Sequence, residues 1–142
     1  MAHWQILRMV ELFLVGIGTG NPEHITIQAR RAIEEAGLIL IPYKGSEKSE
    51  LVDVRLKICK EIIRGKKTKI VQFDLPSRDL SYSYQEGVEK WHDNVASVWS
   101  STIRKNCSED TKVAFLIWGD PSLYDSSLRI AKRLKPKPKI QV

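Results

Sequence analysis

The sequence has 142 residues, of which 42% are apolar, 28% charged and 8% aromatic. This length and balance fit one domain with a packed core, and they exclude a disordered or fibrous chain. No unbroken apolar run approaches the length of a bilayer-spanning helix. Two cysteines, Cys59 and Cys107, are too few for a disulfide framework or a structural metal site, so we expect a protein of the reducing cytoplasm.

The net charge is +6, with 23 Lys and Arg residues against 17 Asp and Glu residues. The excess lies in residues 126–142, which contain six basic residues and no acidic one, whereas the rest of the chain is balanced. A basic end can contact RNA or acidic lipid, but it is also typical of a solvated helix end. We therefore expect neither a nucleic-acid partner nor a membrane.

The chain alternates between short apolar runs and segments with helical spacing. Residues 1–10 are an irregular lead-in, and residues 74–82 read as a loop. Apolar residues at intervals of three and four predict helices over residues 25–36, 51–62, 83–105 and 123–134. Continuous apolar runs predict strands at residues 12–17, 38–41, 69–73, 113–118 and 139–142.

Runs that are apolar throughout, rather than alternating, are typical of strands covered on both faces. Five such strands interleaved with four helices form a βαβ series. The predicted fold class is therefore α/β, an open and mostly parallel five-stranded sheet with flanking helices, formed by residues 11–142.

The fifth predicted strand ends the sequence. Pro136 and Pro138 precede it, and proline cannot continue a helix because it lacks the amide donor. A parallel sheet normally continues into a further helix or domain after such a strand. We expect that the sequence is one domain of a longer protein whose C-terminal domain is absent.

The first predicted strand leads into a glycine-rich loop, residues 16–23, with the sequence GIGTGNPE. Its alternate glycines allow positive φ and close approach of a ligand to the backbone. Asn21 can cap the following helix, with Pro22 in its first turn.

This loop does not match the known nucleotide-binding patterns. The third glycine falls one residue early for the dinucleotide fingerprint, and the second strand does not end in the acidic residue that would bind a ribose. No Gly-Lys-Ser/Thr follows, which excludes a P-loop. A tight turn without a ligand is the structural alternative.

A second loop, residues 118–125 (WGDPSLYD), follows the fourth predicted strand. Asp120 and Pro121 can be explained structurally, as an N-cap and the first helical position. Because ligands of open α/β sheets bind at the carboxyl ends of strands, the same loop also suits a compact polar ligand with a positive centre.

Together, in this order and about 100 residues apart, the two loops resemble those of the tetrapyrrole methylase family. The matching segments are LFLVGIGTGNPEHITIQARRAI and VAFLIWGDPSLYDSSLRIAKRL. The segments YKGSEKSELVDVRLKICKEII and YQEGVEKWHDNV resemble the deacetylating branch of that family. The resemblance covers residues 12–134.

The resemblance implies a C-methyltransferase of cobalamin biosynthesis that uses S-adenosylmethionine (SAM) and no metal. It would methylate C1 of precorrin-5 and release acetate, giving precorrin-6A. The full-length protein would be a homodimer. Alternatives are another precorrin methylase, a non-catalytic binding module and, on the basic end alone, an RNA-binding domain.

Carried over position by position, the resemblance also implies site residues. The SAM site would comprise Thr19, Trp118, Gly119, Asp120, Pro121, Leu123 and Tyr124. The tetrapyrrole site would comprise Gly16, Gly18, Gly20 and Lys44, with Lys48 and Arg55 as further candidates for binding substrate carboxylates. No catalytic base is assigned, since Pro42 stands where some family members have an aspartate.

The remaining conspicuous side chains have structural interpretations. We expect Trp91, Val95 and Trp99 to form core rather than a stacking platform, because they share one helical stripe. Cys59 lies beside the apolar face of the second helix and reads as a small buried hydrophobe.

Overall fold

The structure is a computed structural model that describes residues 10–43, 49–63, 68–76, 80–107, 111–117, 126–134 and 138–142. Five strands alternate with four α-helices along the chain. The strands are β1 (Glu11–Gly16), β2 (Leu38–Tyr43), β3 (Lys69–Asp74), β4 (Lys112–Ile117) and β5 (Lys139–Gln141). The helices are α1 (Ile27–Glu35), α2 (Ser49–Ile62), α3 (Tyr84–Asn106) and α4 (Ser126–Lys132), and a 3-10 helix (Pro22–His24) precedes α1.

The five strands form one sheet in the order β3-β2-β4-β1-β5, and every pairing is parallel. The predicted α/β class is confirmed, and the described sheet is parallel throughout. β4 therefore lies between β1 and β2, although it is far from both along the chain.

Both faces of the sheet are covered at its centre, which explains why β1, β2 and β4 are mostly apolar on both faces, whereas the edge strand β3 has polar, exposed residues. One face packs on α3 and α4, through side chains such as Leu14, Leu40 and Phe115. The other packs on α1 and α2, through Ile39 and Leu116 among others. Chain connections running in both directions along the sheet place the helix pairs on opposite faces, as right-handed crossovers require.

The start of α1 differs from the sequence prediction. Asn21 does not cap this helix: its Oδ1 accepts a hydrogen bond from Glu23 N at 2.9 Å and caps only the 3-10 helix. Ile25 is extended after that helix, and Thr26 caps α1 by accepting from Ala29 N at 3.0 Å. Asn21 and Pro22 therefore cap and begin a helix as predicted, but it is the short 3-10 helix rather than α1, because two side-chain caps in succession divide the segment in two.

Most of the predicted core residues are buried. Val95, Trp99 and Cys59 are confirmed as core, whereas Trp91 is half-buried and packs at the margin of the α3–α4 face. Within the described ranges, no helix has both the length and the apolarity needed to cross a bilayer.

Candidate functional site

The ends of β1 and β4 lie side by side at the carboxyl edge of the sheet. The two strands pair along their whole length, up to Gly16 opposite Ile117. Ile17 N then donates to Ile117 O at 2.9 Å, one residue beyond β1. The two loops that the sequence singled out therefore start from neighbouring positions.

These neighbouring ends form the topological switch point of the sheet. From β1 the chain crosses over β4 to reach β2, and from β4 it crosses over β1 to reach β5. The two connections leave on opposite faces, since α1 covers one face and α4 the other. A crevice opens where connections diverge in this way, and ligands of open α/β sheets bind there.

Positive φ angles shape the loop after β1. Gly18 has φ of 58° and Gly20 has φ of 88°, values in the left-handed region that glycine adopts without strain. Gly20 N donates to Ile17 O at 3.0 Å and is buried, whereas Gly18 is exposed. A Cβ built on Gly18 would meet nothing within 4 Å, so open space lies beside it.

A cavity of about 690 Å³ lies at this edge, within the range of roughly 300–1,000 Å³ typical of small-molecule sites. Its walls come from the carboxyl ends of β2, β3 and β4 and from α2, α3 and α4. The lining residues are Gly18, Pro42, Arg55, Phe73, Leu75, Trp91, Val95, Trp99, Phe115, Leu116, Ile117, Ser127 and Ile130. Among these residues Arg55 carries the only charge.

Aromatic rings form much of one wall. Trp99 stacks on Phe115 with ring centroids 3.8 Å apart, and Phe73 meets Phe115 edge-on at 5.4 Å. Trp91 Nε1 donates to Pro76 O at 2.7 Å, which anchors the segment after β3 to α3. The indole Nε1 of Trp99 is buried and has no hydrogen-bond partner among the described residues.

The sheet opens between β2 and β4 at the same edge. Their pairing ends at Leu40 opposite Phe115, although both strands continue. Pro42, which has no amide hydrogen, stands on β2 just past this point and lines the cavity. The carbonyl of Leu116 therefore lies on the side of β4 that β2 has left.

Arg55 reaches into this opening from α2 and lines the cavity. Its side chain is buried, with 8% of the residue exposed, and its Nε donates to Leu116 O at 3.1 Å. Burial lowers the pKa of the guanidinium from its ordinary value, although an arginine keeps its charge under these conditions. No carboxylate of the described chain forms an ion pair with it.

The sequence profile of the family described as Tetrapyrrole (Corrin/Porphyrin) Methylases matches residues 11–142. The chain belongs to this family. The resemblance inferred from the two loops is thus confirmed. In the methylase domain both loops start at the adjacent carboxyl ends of β1 and β4.

Two curated relatives of the methylase domain act on precorrins, by name. A Sinorhizobium protein named precorrin-6A synthase (deacetylating) is 40% identical over 133 residues, which are 93% of this chain and 51% of that protein. A Methanocaldococcus jannaschii protein named as a cobalt-precorrin-2 C(20)-methyltransferase is 24% identical over 127 residues, 89% of this chain and 48% of that protein. The chain thus spans about half the length of the curated relatives it matches.

Solved structures agree with the fold. CobF of Corynebacterium diphtheriae, described as a cobalamin-synthesis-related protein, superposes with a TM-score of 0.68 at 36% identity. The superposition covers 93% of this chain and 52% of CobF. The cobalt precorrin-4 methyltransferase CbiF gives a TM-score of 0.50 at 16% identity over 97% of this chain and 45% of CbiF, which supports the fold alone.

The site residues predicted for the methylase domain fall into two groups. Of the three loop glycines, Gly18 lines the cavity, Gly16 is the last residue of β1, and Gly20 is buried beneath the turn. Thr19 is exposed, and its hydroxyl is used within the loop, 3.0 Å from His24 Nδ1. The other predicted residues lie outside the described residues: Lys44, Lys48, Trp118, Gly119, Asp120, Pro121, Leu123 and Tyr124.

Sequence reasoning ranked Lys44 before Arg55 and assigned Trp91 to the core alone. A signal for Arg55 was present, because it lies three, four and seven residues before buried Ile58, Cys59 and Ile62. A charged residue on the buried stripe of a helix needs a polar partner or a ligand. Within the described ranges no group of three metal-ligating side chains comes together.

The basic end of the methylase domain is partly neutralised within the fold. Arg133 forms ion pairs with Glu89 and with Asp93, the latter at 2.8 Å, and these contacts raise the pKa of Arg133 and lower that of Glu89. Lys139 lies 3.8 Å from Glu11. Among the described residues of this segment, Arg133 and Lys139 therefore have carboxylate partners.

Proposed function

We propose that the protein is a SAM-dependent precorrin methyltransferase. In this proposal it methylates C1 of precorrin-5 and releases acetate, giving precorrin-6A and S-adenosylhomocysteine. The observation that carries the proposal is the adjacency of the carboxyl ends of β1 and β4 at a switch point of the sheet, beside a ligand-sized cavity. The 40% identity to a precorrin-6A synthase supports this choice of substrate over those of other precorrin methylases.

The cavity suits SAM, which when bound supplies a methyl group activated by its sulfonium. The apolar walls formed by Leu75, Trp91 and Ile130 can cover an adenine and exclude water. Exposed Gly18 lets a ligand approach the backbone without meeting a side chain. The proposed cofactor residues of the second loop follow directly after Ile117, the last residue of β4, which lines the cavity.

Positioning accounts for the scarcity of catalytic side chains in the described cleft. Methyl transfer forms a bond from ring carbon C1 to the methyl carbon, while the C–S bond breaks and its electron pair goes to sulfur. Holding the two reactants in line can supply on the order of 7–11 kcal/mol of the barrier. Acetate release would provide the electron pair for the new bond to the methyl carbon: a water attacks the acetyl carbonyl, the C–C bond breaks, its electron pair passes to ring carbon C1 and then to the methyl carbon, and the protons of the water go to solvent.

The proposal extends to the longer protein. Residues 11–142 would form its N-terminal domain, and a C-terminal domain would complete the cleft. A cytoplasmic location and a homodimeric assembly belong to the same proposal, as does the absence of a metal cofactor.

Binding of S-adenosylhomocysteine to the chain tests the proposal by isothermal titration calorimetry. We expect saturable binding by the wild type. Ser127→Trp should weaken binding about tenfold or more, because the new ring occupies the cavity. A tenfold weaker Kd corresponds to a loss of about 1.4 kcal/mol of binding free energy. The matched control is Ser101→Trp, which adds the same ring at an exposed position of α3 and should bind like the wild type. Absence of binding by the wild-type chain would contradict the proposal.

Acetate release identifies the reaction. With precorrin-5 and SAM, the longer protein that includes the C-terminal domain should produce acetate and S-adenosylhomocysteine in equal amounts. Methyl transfer without acetate would indicate another precorrin methylase, and binding of both ligands without turnover would indicate a binding module.

A further inference from the structure

The cleft contains a buried cation with unused hydrogen-bonding capacity. Arg55 is more than nine-tenths buried and lines the cavity, and its Nε is occupied by Leu116 O. A guanidinium has five N–H donors, so four remain on the two Nη atoms. No ion pair from the described carboxylates reaches them.

Burying a charge without a counter-charge is costly, because the apolar surroundings replace water poorly. The walls around Arg55 are mostly apolar, and α2 presents Cys59 and Ile62 on the same stripe. The buried charge therefore lowers the free energy of unfolding, and a bound anion would offset this loss. Because β2 separates from β4 after Leu40, the guanidinium fits between the two strands and leaves part of the opening free.

The remaining donors have a geometry that selects the ligand. With Nε held by a main-chain carbonyl, the Nη1 and Nη2 groups form a fork that matches the two oxygens of a carboxylate. The buried Nε1 of Trp99 is a second donor on the cavity wall without a partner in the described chain. Two buried donors in a mostly apolar cleft, with no acidic side chain among its described lining residues, favour an anionic ligand group.

We propose that Arg55 binds a carboxylate of the ligand at the opening between β2 and β4. This inference rests on the proposed function, which supplies carboxylates from two sources, the amino-acid part of SAM and the side chains of the tetrapyrrole. Leu116 O fixes the guanidinium, and the ligand carboxylate completes its hydrogen bonds. In this proposal Arg55 is a binding residue for a ligand carboxylate, and the prediction for Lys44 stays a prediction.

Calorimetry with three probes tests the assignment and identifies the source. The probes are S-adenosylhomocysteine, 5′-methylthioadenosine, which lacks the amino-acid part, and uroporphyrin III, a tetrapyrrole with carboxylate side chains. Arg55→Met should weaken S-adenosylhomocysteine or uroporphyrin III about 10- to 100-fold, the range expected for a charge-assisted hydrogen-bonded pair. Arg55→Lys keeps the positive charge but lacks the paired Nη donors, so its affinity should fall less than that of Arg55→Met. Binding of 5′-methylthioadenosine should not change.

Arg30→Gln is the matched control, since it removes an arginine from an exposed position of α1. It should bind all three probes like the wild type. Arg55→Met should unfold in urea near the wild-type midpoint, because an apolar side chain of similar length removes the desolvation cost. If Arg55→Met does not fold, Arg55→Lys decides.

The outcomes separate the two proposals. A loss confined to S-adenosylhomocysteine assigns the amino-acid carboxylate, and a loss confined to uroporphyrin III assigns a tetrapyrrole carboxylate; either supports the inference. Unchanged affinities in folded Arg55 variants, or an equal loss for 5′-methylthioadenosine, overturn it and leave Arg55 as a structural donor to Leu116. A wild-type chain that binds none of the probes refutes the proposed function itself.

Discussion

The two edges of β4 differ at their carboxyl ends. Towards β1 the strand is paired to its last residue, and the ladder extends to Ile17. Towards β2 the pairing stops at Phe115, and a buried arginine replaces the missing strand contact. The closed edge fixes the ends of β1 and β4 side by side, whereas the open edge borders the cavity in which we propose that a ligand binds.

The largest expected effect is on the closed edge. Leu14 of β1 is 2% exposed and packs in the α3–α4 face, so Leu14→Ala should reduce the free energy of unfolding by about 2–5 kcal/mol. Urea denaturation followed by circular dichroism measures this. Ile27→Ala is the control, since Ile27 is 71% exposed and its truncation should change stability by about 0.5 kcal/mol or less. A loss at Leu14 as small as the control would mean that β1 is not a core strand.

The second prediction is a pH dependence of the protein's stability, which comes from Cys59 on α2, the helix beside the open edge. Burial raises the pKa of the Cys59 thiol from 9.0 to about 11. Above pH 9 the unfolded chain releases the thiol proton and the folded chain keeps it, which favours unfolding. The stabilising contribution of the buried thiol is therefore complete below pH 9 and is lost as the pH rises towards 11. Urea midpoints at pH 8 and pH 10.5 should therefore differ less in Cys59→Ala than in the wild type. An identical difference in both proteins would contradict the burial of Cys59.

A smaller effect is expected in the loop that leaves the closed edge. Gly18 has φ of 58° and open space around its Cα, so Gly18→Ala should cost only backbone strain, about 1–2 kcal/mol. Gly18→Asn should cost less, because asparagine tolerates this conformation. The comparison of their urea midpoints checks the turn, and equal stability of Gly18→Ala and wild type would show that φ is negative there.

The smallest effect concerns the helix caps between this loop and α1. Thr26→Ala should destabilise the protein by about 1 kcal/mol, since it removes the cap of a nine-residue helix. Asn21→Ala should cost less, because Asn21 caps only three residues. Thermal unfolding of the two variants measures the difference, and a larger loss for Asn21→Ala would restore the single helix that the sequence predicted.

Much of the fold could be predicted from the sequence because it depends on local patterns. Each apolar run became a strand within two residues of its predicted ends, and Ser83 caps α3 where the spacing placed its start. The position of β4 between β1 and β2 is a long-range result that no spacing encodes. The expectation that the two loops meet depended on the family resemblance and on the rule that ligands bind at strand ends.

The candidate site was less predictable than the sheet. Arg55 lies within α2, the helix that directly follows β2, and it reaches the cavity only because β2 and β4 separate. Trp91 and Trp99 share a helical stripe typical of core, and the same stripe forms a cavity wall where the sheet opens. Sequence spacing distinguishes buried from exposed faces, but it does not show where a buried face borders empty space.

The most direct test of the account is a chemical-shift map of the ¹⁵N-labelled chain titrated with S-adenosylhomocysteine. The account predicts saturable shifts at the amides of Gly18 and Ile117 and at the side-chain Nε of Arg55, with the β5 amides unchanged. Shifts confined to residues away from the ends of β1 and β4, or no shifts at saturating ligand, would contradict a binding site at this crevice.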